Sequence, residues 1–166
     1  MIGGLFVDAE GKKHSLRMIN YGLYIVTAKE NNEVAAGTIN WLSQASFTPP
    51  LVMVGIKADS HLHTVIQHTG QFAVSILDQS QKAIAQDFFR PSTYDGLLLS
   101  GHATDPGPAT GAPILKETPG WFEVEVRQAI SIGDHTVYIA EVVDAGVRDK
   151  AAIPLVMRET GWFYGG

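Results

Sequence analysis

The chain contains no cysteine, and this absence excludes disulfide bonds and thiolate metal ligands. Basic residues are also few, since 12 Lys and Arg stand against 17 Asp and Glu and the formal net charge is −5. They are scattered and form no stripe that would neutralise nucleic-acid phosphates. No window approaches the roughly 20 apolar residues of a membrane span, and residues 1–8 lack a secretion signal. We therefore expect a cytoplasmic protein that has neither nucleic acid nor a membrane as a partner.

Two catalytic motifs are missing as well. The chain has no Gly-x-Ser-x-Gly nucleophile elbow, and no Gly-x-Gly-x-x-Gly that opens a helix after a strand, so neither a hydrolase nor a Rossmann domain is indicated. A length of 166 residues with 45% hydrophobic content is enough to bury one core but short for two. No internal repeat divides the chain, and we expect a single domain over residues 1–166.

Strand patterns outnumber helical periodicities, which predicts a mainly β fold with two or three short helices. Residues 22–29 and 33–40 are predicted to form a hairpin around "ENN". Residues 51–56, "LVMVGI", are apolar on both faces, which predicts burial inside a barrel on one side and against another element or subunit on the other. Residues 121–132 and 135–147 are predicted to form a second hairpin. Many antiparallel strands favour a closed barrel, since closure removes exposed edges.

Short helices are predicted at two places. Ser60 is expected to cap one over residues 61–69, and a glycine follows as its stop. Asp78 or Ser80 is expected to cap another over residues 81–89.

Two further segments have distinct patterns. Residues 91–113 carry eight Pro or Gly residues without periodicity and are predicted to be an irregular loop, either a surface excursion or a lid over a ligand or a neighbouring subunit. Along residues 122–127, Phe and Val alternate with Glu and Arg, which predicts a strand with one buried and one solvent-facing side.

Polar side chains crowd the stretch "TINWLSQASFT", directly before the apolar strand. Any of them buried without a partner would destabilise the fold. They must therefore bond each other in a turn or bond a ligand. The residues concerned are Thr38, Asn40, Ser43, Gln44, Ser46 and Thr48.

The order of several motifs resembles the flavin reductase family. They are "TINWLSQASFTPP", "GQFAVSIL", "IAQDFF", "GAPILKETPGWFEVEV", "GDHTVYIAEV" and "ETGWFYGG", and the resemblance covers residues 21–166. It implies an FMN-binding split β-barrel, antiparallel with Greek-key-like connections and a few short helices. It also implies that FMN, or FAD as the alternative flavin, is the cofactor and that NAD(P)H is the electron donor. Split barrels of this type pair as homodimers.

The resemblance places the flavin ring along Thr38, Ile39, Asn40 and Trp41, with Ser46 also facing the cofactor. The polar edge of the ring demands hydrogen-bonding partners, which this polar stretch supplies. The open alternative is that these hydroxyl groups bond only each other.

The segment "KADSHLHT" offers donors and positive charge at a helix start, which suits a phosphate. The resemblance assigns the flavin phosphate to Lys57, Ser60, His63 and Thr64. Plain N-capping is the alternative role for Ser60. His61 and His63 are two residues apart on a helix and cannot chelate a metal together, so no metal is expected.

Three further groups complete the predicted site. Phe89 and Arg90, after "IAQDF", are expected to reach the flavin phosphate or the reductant. Trp162 and Tyr164 are expected in the flavin pocket or at the subunit interface. His135 of "GDH" is expected to hydrogen-bond the nicotinamide carboxamide or the reduced flavin, and a turn histidine satisfied by backbone is its alternative.

Two functions remain open at this stage. The first is an NAD(P)H-dependent flavin oxidoreductase, in which the protein supplies position and electrostatics for hydride transfer. The second is an FMN-containing electron-transfer module, reduced by a protein partner in a rubredoxin or flavodiiron chain and without NAD(P)H activity of its own. A small electron-carrier protein is a candidate partner in either case. A barrel that binds a ligand other than flavin is a third interpretation.

Overall fold

The computed structural model describes residues 7–166. The strands are β1 (Tyr24–Glu30), β2 (Glu33–Ile39), β3 (Leu42–Ser46), β4 (Leu51–Lys57), β5 (Gln71–Ile76), β6 (Leu98–Leu99), β7 (His102–Pro106), β8 (Pro113–Leu115), β9 (Gly120–Ser131) and β10 (His135–Val147). The helices are α1 (Ala9–Arg17), α2 (His61–Thr69) and α3 (Lys82–Asp87), and a short 3-10 turn spans Met157–Thr160. No helix in residues 7–166 has the length and apolar character to cross a membrane.

The main sheet has seven strands in the order β2-β1-β5-β9-β10-β4-β3, and every pairing is antiparallel. The prediction of a mainly β, antiparallel fold with few helices is therefore confirmed. The prediction of a closed barrel is wrong, because within residues 7–166 β2 and β3 are unpaired at the two ends of the sheet. Helix α2 packs against β1, β2 and β4, and its Leu62, Val65 and Ile66 join their core. Helix α2 thus covers part of the core that a closed barrel would enclose with strands.

Both predicted hairpins are confirmed. Between β1 and β2, Asn31 adopts a positive φ of 54°, a conformation that asparagine tolerates better than most residues. Between β9 and β10 the last pair is Ser131 with Thr136. This second turn brings His135, at the start of β10, opposite Lys57 at the end of β4.

The prediction for α2 is confirmed at both ends. The Ser60 hydroxyl accepts a hydrogen bond from the backbone N–H of His63 at 3.1 Å, and Gly70 ends the helix at a φ of 66°.

The cap predicted for α3 is wrong, because the helix begins at Lys82 and its N-cap, Gln81, forms no side-chain cap bond. Asp78 instead accepts hydrogen bonds from Ser80 and from the backbone N–H of Ile153, and so joins two distant segments.

Residues 91–113 are only in part the irregular loop that was predicted. They form β6 and β7, which pair with each other, and lead into β8, which pairs with β7. The glycines sit at the turns, where Gly96, Gly101 and Gly111 have φ values of 98°, 88° and 71°. Strands of two to five residues are too short to show a period in the sequence.

The predicted solvent-facing side of β9 is wrong at Glu123, which is fully buried. Its carboxylate accepts hydrogen bonds from the backbone N–H groups of Ala109, at 3.0 Å, and Thr110, at 2.8 Å, and also from the Thr110 hydroxyl. A Cβ at Gly107 would lie 2.0 Å from a Glu123 carboxylate oxygen, so only glycine fits there. The alternating pattern placed this carboxylate in solvent. The turn instead supplies the hydrogen bonds that water would have given it.

Only one face of β4 is buried within the chain. Val52, Val54 and Ile56 point into the core, whereas Met53 on the other face is 43% exposed. Val137 of β10, on the same outer face, is also exposed. The predicted burial of the second face therefore requires something outside this chain.

Candidate functional site

A cleft of about 720 Å³ opens beside the ends of β2, β4 and β10, at the start of α2. Its volume lies within the range of small-molecule sites. The residues after α3 and the segment from the 3-10 turn onward form the opposite wall. Ten of the residues predicted from the sequence line this cleft: Thr38, Ile39, Asn40, Lys57, Ser60, Phe89, Arg90, His135, Trp162 and Tyr164.

Four predicted residues do not line the cleft. His63 is buried and lies 2.9 Å from the Thr136 hydroxyl, on the core side of α2. Thr64 is exposed, and its hydroxyl donates to the Ser60 carbonyl at 3.4 Å. Ser46 ends β3 opposite Leu51. The fourth residue, Trp41, lies behind the wall. Their flavin contacts stay predictions, without a place in the cleft wall.

Trp41 supports the cleft from behind. Its ring lies across Gly55, where a Cβ would come within 3.2 Å of it. The ring centroid is 4.5 Å from that of His135 and 5.2 Å from that of Tyr164. Its indole N–H is buried and has no hydrogen-bond partner among residues 7–166. A buried donor of this kind is rare in a native protein and calls for a partner.

The polar stretch forms the end of β2 and the whole of β3, rather than a turn. At its start, Thr38 donates to the Ala85 carbonyl at 2.6 Å, and the buried Asn40 amide donates to the Met157 sulfur at 3.0 Å. Sulfur is a weak acceptor, so this bond leaves most of the Asn40 capacity available. Further on, Ser43 and Gln44 bond only local carbonyl groups. The second half therefore bonds the chain itself, and a ligand contact at Thr38 and Asn40 stays a prediction.

One end of the cleft is suited to an anion. Lys57 and Ser60 line it beside the free N–H groups at the start of α2, and Arg90 lines the opposite wall. Arg90 forms no ion pair with residues 7–166, and the Lys57 ammonium lies 3.4 Å from Asp59 in an exposed pair. Ser60 donates to the Lys57 carbonyl at 2.7 Å while it caps α2. Its capping role is therefore present, and its hydroxyl proton is already donated within the chain.

His135 is held from three sides. Its Nδ1 lies 2.8 Å from the Asp134 carboxylate and its Nε2 lies 2.8 Å from the Tyr164 hydroxyl, while Trp41 packs on the ring. The hydrogen bond and charge of His135 hold the pKa of Asp134 below its usual range. Burial raises the pKa of Tyr164, so its hydroxyl keeps its proton. A carboxylate at Nδ1 and a hydroxyl donor at Nε2 together favour the tautomer protonated on Nδ1.

Aromatic side chains form the far wall. Phe89 meets Trp162 edge-on with centroids 4.8 Å apart, and the Lys82 ammonium lies 4.9 Å from the Trp162 ring centre. The same ammonium donates to the Thr160 carbonyl at 2.7 Å. These contacts join α3 to the segment after the 3-10 turn.

A histidine outside the cleft supports this wall. His102 of β7 lies between Asp87, at 3.0 Å, and Glu117, and its ring packs near Phe88. Within residues 7–166, no group of three or more His, Cys, Asp or Glu residues is arranged to hold a metal ion.

Sequence reasoning missed several wall residues, among them Leu23, Phe88, Pro91, Ser92, Met157 and Phe163. They come from distant parts of the chain, and only tertiary packing brings them together. One local signal was present, because a glycine often ends a turn with positive φ, and Gly161 does so at 78° just before the aromatic residues.

Comparison with known proteins identifies relatives along nearly the whole chain. A family model described as a flavin reductase-like domain matches residues 16–164. The NADH-dependent flavin reductase StyB of Pseudomonas fluorescens is 30% identical over 151 residues, which cover 88% of this chain and 83% of StyB. Diflavin flavoprotein A 1 of Synechocystis sp. is 27% identical over 159 residues, but the chain spans only 28% of that protein.

Solved structures show a similar fold. The crystal structure of BorF, the flavin reductase component of a bacterial two-component tryptophan halogenase, is 26% identical and has a TM-score of 0.77. The match covers 95% of this chain and 98% of BorF.

Proposed function

Because the chain belongs to the flavin reductase-like domain family, we propose that it is an NAD(P)H-dependent flavin oxidoreductase. It takes FMN, with FAD as the alternative flavin, and NAD(P)H as the electron donor. The observation that carries the proposal is the cleft, which combines apolar and aromatic walls with an anion-binding end. A flavin has the same two parts, a flat ring and a phosphate.

The residues present fit a flavin. Lys57, Arg90 and the free N–H groups at the start of α2 supply the charge and donors that a phosphate requires, while Ser60 caps that helix. The backbone of β2 from Thr38 to Asn40 runs along the cleft and offers N–H and C=O groups to the edge of the ring. The bound flavin would supply the acceptor for the hydride.

The protein's own contribution is position and charge. His135, with its proton held on Nδ1 by Asp134, presents Nε2 and the Tyr164 hydroxyl to the cleft. Because the Tyr164 proton is donated to Nε2, a carboxamide would donate its N–H to the remaining lone pair of the Tyr164 oxygen. Phe89 and Trp162 exclude water from the opposite side. We assign His135 to the nicotinamide and the β2 segment to the flavin.

With this function we also propose a more detailed architecture and an assembly. A single domain over the chain forms an antiparallel split β-barrel with Greek-key-like connections, whose opening between β2 and β3 is covered by α2. Two copies pair through the outer face of β4 and β10, where Met53 and Val137 are exposed. The apolar outer face supports this pairing. The proposed site of action is the cytoplasm.

A second function is favoured by one observation. The match to diflavin flavoprotein A 1 covers 95% of this chain and only part of that longer protein. The same domain thus occurs joined to others. Under this alternative the chain carries electrons on FMN and is reduced by a protein partner, such as a rubredoxin or flavodiiron carrier.

An anaerobic visible spectrum of the FMN-loaded protein distinguishes the two functions. NADH and then NADPH are added to the protein, and a second sample is reduced by light as a control for a reducible flavin. Bleaching by a nicotinamide establishes the oxidoreductase and identifies its donor. A flavin that bleaches in light but stays yellow with both nicotinamides contradicts the proposed activity and supports the carrier.

A further inference from the structure

A second pocket, of about 290 Å³, lies next to the cleft. It is formed by the end of α1, the residues after it and the segment from the 3-10 turn onward. Trp162, Phe163 and Tyr164 line both pockets. These three aromatic residues therefore form a wall between the cleft and the second pocket.

Two arginines give this pocket its charge. Arg17 and Arg158 both line it, no acidic residue does, and neither arginine forms an ion pair within residues 7–166. The Arg17 guanidinium lies 4.6 Å from the centre of the Phe163 ring, and its Nε donates to the Gly165 carbonyl at 3.4 Å. These contacts hold the guanidinium in place and leave its terminal N–H groups available. In a chain with a net charge of −5, such a pair of cations indicates an anionic ligand.

Aromatic surface accompanies this charge. Tyr21 and Trp162 line the pocket, and Phe163 is 70% exposed beside Arg17. A large exposed aromatic ring beside a cation is suited to a ligand that carries both a flat ring and phosphate groups.

We propose that the second pocket binds the adenosine diphosphate part of a dinucleotide whose reactive half occupies the cleft. The phosphates bind Arg17 and Arg158, and the adenine packs on the exposed aromatic rings. The inference rests on the proposed function. NAD(P)H and FAD both carry this group. A dinucleotide bound in this way would span the wall of residues 162–164, with one half in each pocket.

The first test is ADP binding to the flavin-free protein, measured by calorimetry. The double variant Arg17→Gln/Arg158→Gln should bind ADP at least about tenfold more weakly, since each lost contact is a charge-assisted hydrogen bond. Lys12→Gln removes a charge from the same helix outside the pocket and should bind as the wild type does. Adenosine, which lacks phosphate, should bind the double variant and the wild type equally. Absent ADP binding in the wild type, or equal ADP binding in the double variant, overturns the proposal.

The second test identifies the source of the group. A KM that rises for NADH but not for reduced nicotinamide mononucleotide in the double variant assigns the pocket to the donor. A Kd that rises for FAD but not for FMN assigns it to the flavin. If neither rises, the proposal is wrong. A wild type that does not oxidise NADH would contradict the proposed function alone, because the ADP and FAD measurements still decide the pocket.

Discussion

At the scale of single residues, three neighbouring side chains constrain His135 in the cleft. Asp134, Tyr164 and Trp41 each restrict its ring, and only 12% of its side chain is exposed. A histidine that merely completed a turn would not need a partner from residue 164. The restricted ring is suited to a role in binding a substrate that lies in the cleft.

Replacing His135 by Ala should raise the KM for the nicotinamide donor by about three- to tenfold, the usual effect of one lost hydrogen bond. His68→Ala provides the matched control, because His68 is exposed on α2, outside both pockets, and pairs with Glu30. Steady-state kinetics of both variants measure the effect. Unchanged kinetics in His135→Ala would assign this residue a structural role only.

The sequence was informative for single residues wherever a motif was present. Residues from the polar stretch, from the start of α2 and from "GDH" line the cleft. The sequence was less able to predict which individual side chains are buried. His63 follows the same motif as Ser60, but its position on α2 turns it toward the core, and Glu123 is buried because a turn fourteen residues away supplies its donors. A pattern along the chain carries no information about such distant partners.

At the scale of elements, the start of α2 combines two roles that are separable. Ser60 caps the helix and also lines the anion-binding end of the cleft. Its hydroxyl serves the first role as an acceptor, and aspartate can replace it there.

Ser60→Ala should lower the free energy of unfolding by about 1 kcal/mol, through loss of the cap. Ser60→Asp should keep the cap and the stability. It should weaken FMN binding at least about tenfold, because its negative charge would repel the phosphate. Riboflavin, which lacks the phosphate, is the control ligand and should bind Ser60→Asp nearly as well as the wild type. Urea unfolding and fluorescence titration measure these effects. Equal FMN affinity in Ser60→Asp and the wild type would limit Ser60 to capping.

The connection between β5 and α3 depends on one carboxylate. Asp78 accepts hydrogen bonds from the Ser80 hydroxyl at 2.6 Å and from the Ile153 N–H at 3.2 Å. The Ser80 side chain is the main reason that the pKa of Asp78 is lowered from 3.8. Residues 153–156 lead directly to the 3-10 turn, so this bond helps to place the cleft wall.

Asp78→Asn should lower the unfolding temperature at pH 7, and the difference from the wild type should vanish on acidification. The unfolded chain takes up the proton first, because its carboxyl has the higher pKa. The stabilisation is therefore complete above the unfolded value of 3.8 and is lost as the pH falls through the lower folded pKa. Thermal unfolding of both proteins from pH 7 down to about pH 2 measures this. A difference that stays constant with pH would show that the carboxylate charge is not responsible.

Long elements were predictable and short ones were not. The two hairpins and α2 have turn and cap residues that fix their ends locally. Strand β3 is rich in Ser and Gln, and β6 has two residues, so neither shows a pattern. They form because neighbouring strands offer backbone partners, which is a tertiary effect.

At the scale of the whole molecule, the outer face of β4, β9 and β10 leaves apolar side chains uncovered by residues 7–166. Met53, Ile130 and Val137 are exposed on it, and Val137 is the cross-strand partner of both Gly55 and Ile130. The cleft opens on the same side of the sheet, since His135 and Lys57 alternate with the buried positions of their strands. A second copy bound there would lie close to the flavin.

Val137→Glu should convert the proposed homodimer into a monomer, because the new charge would be buried without a partner. Leu97→Glu is the control, since Leu97 is 74% exposed but lies on a loop away from this face. Sedimentation velocity measures the oligomeric state, and circular dichroism checks the fold of both variants. A Val137→Glu protein that stays dimeric, or a wild type that is monomeric, contradicts this interface.

The buried carboxylate of Glu123 has a consequence for hydrogen exchange. The Ala109 amide lies in an exposed turn, where exchange with solvent deuterium is normally fast. It donates to Glu123 inside the molecule, so exchange requires the turn to lift and leave a charge without its donors. This surface amide should exchange as slowly as amides in β9, and its rate would report the opening of the core from a position outside it.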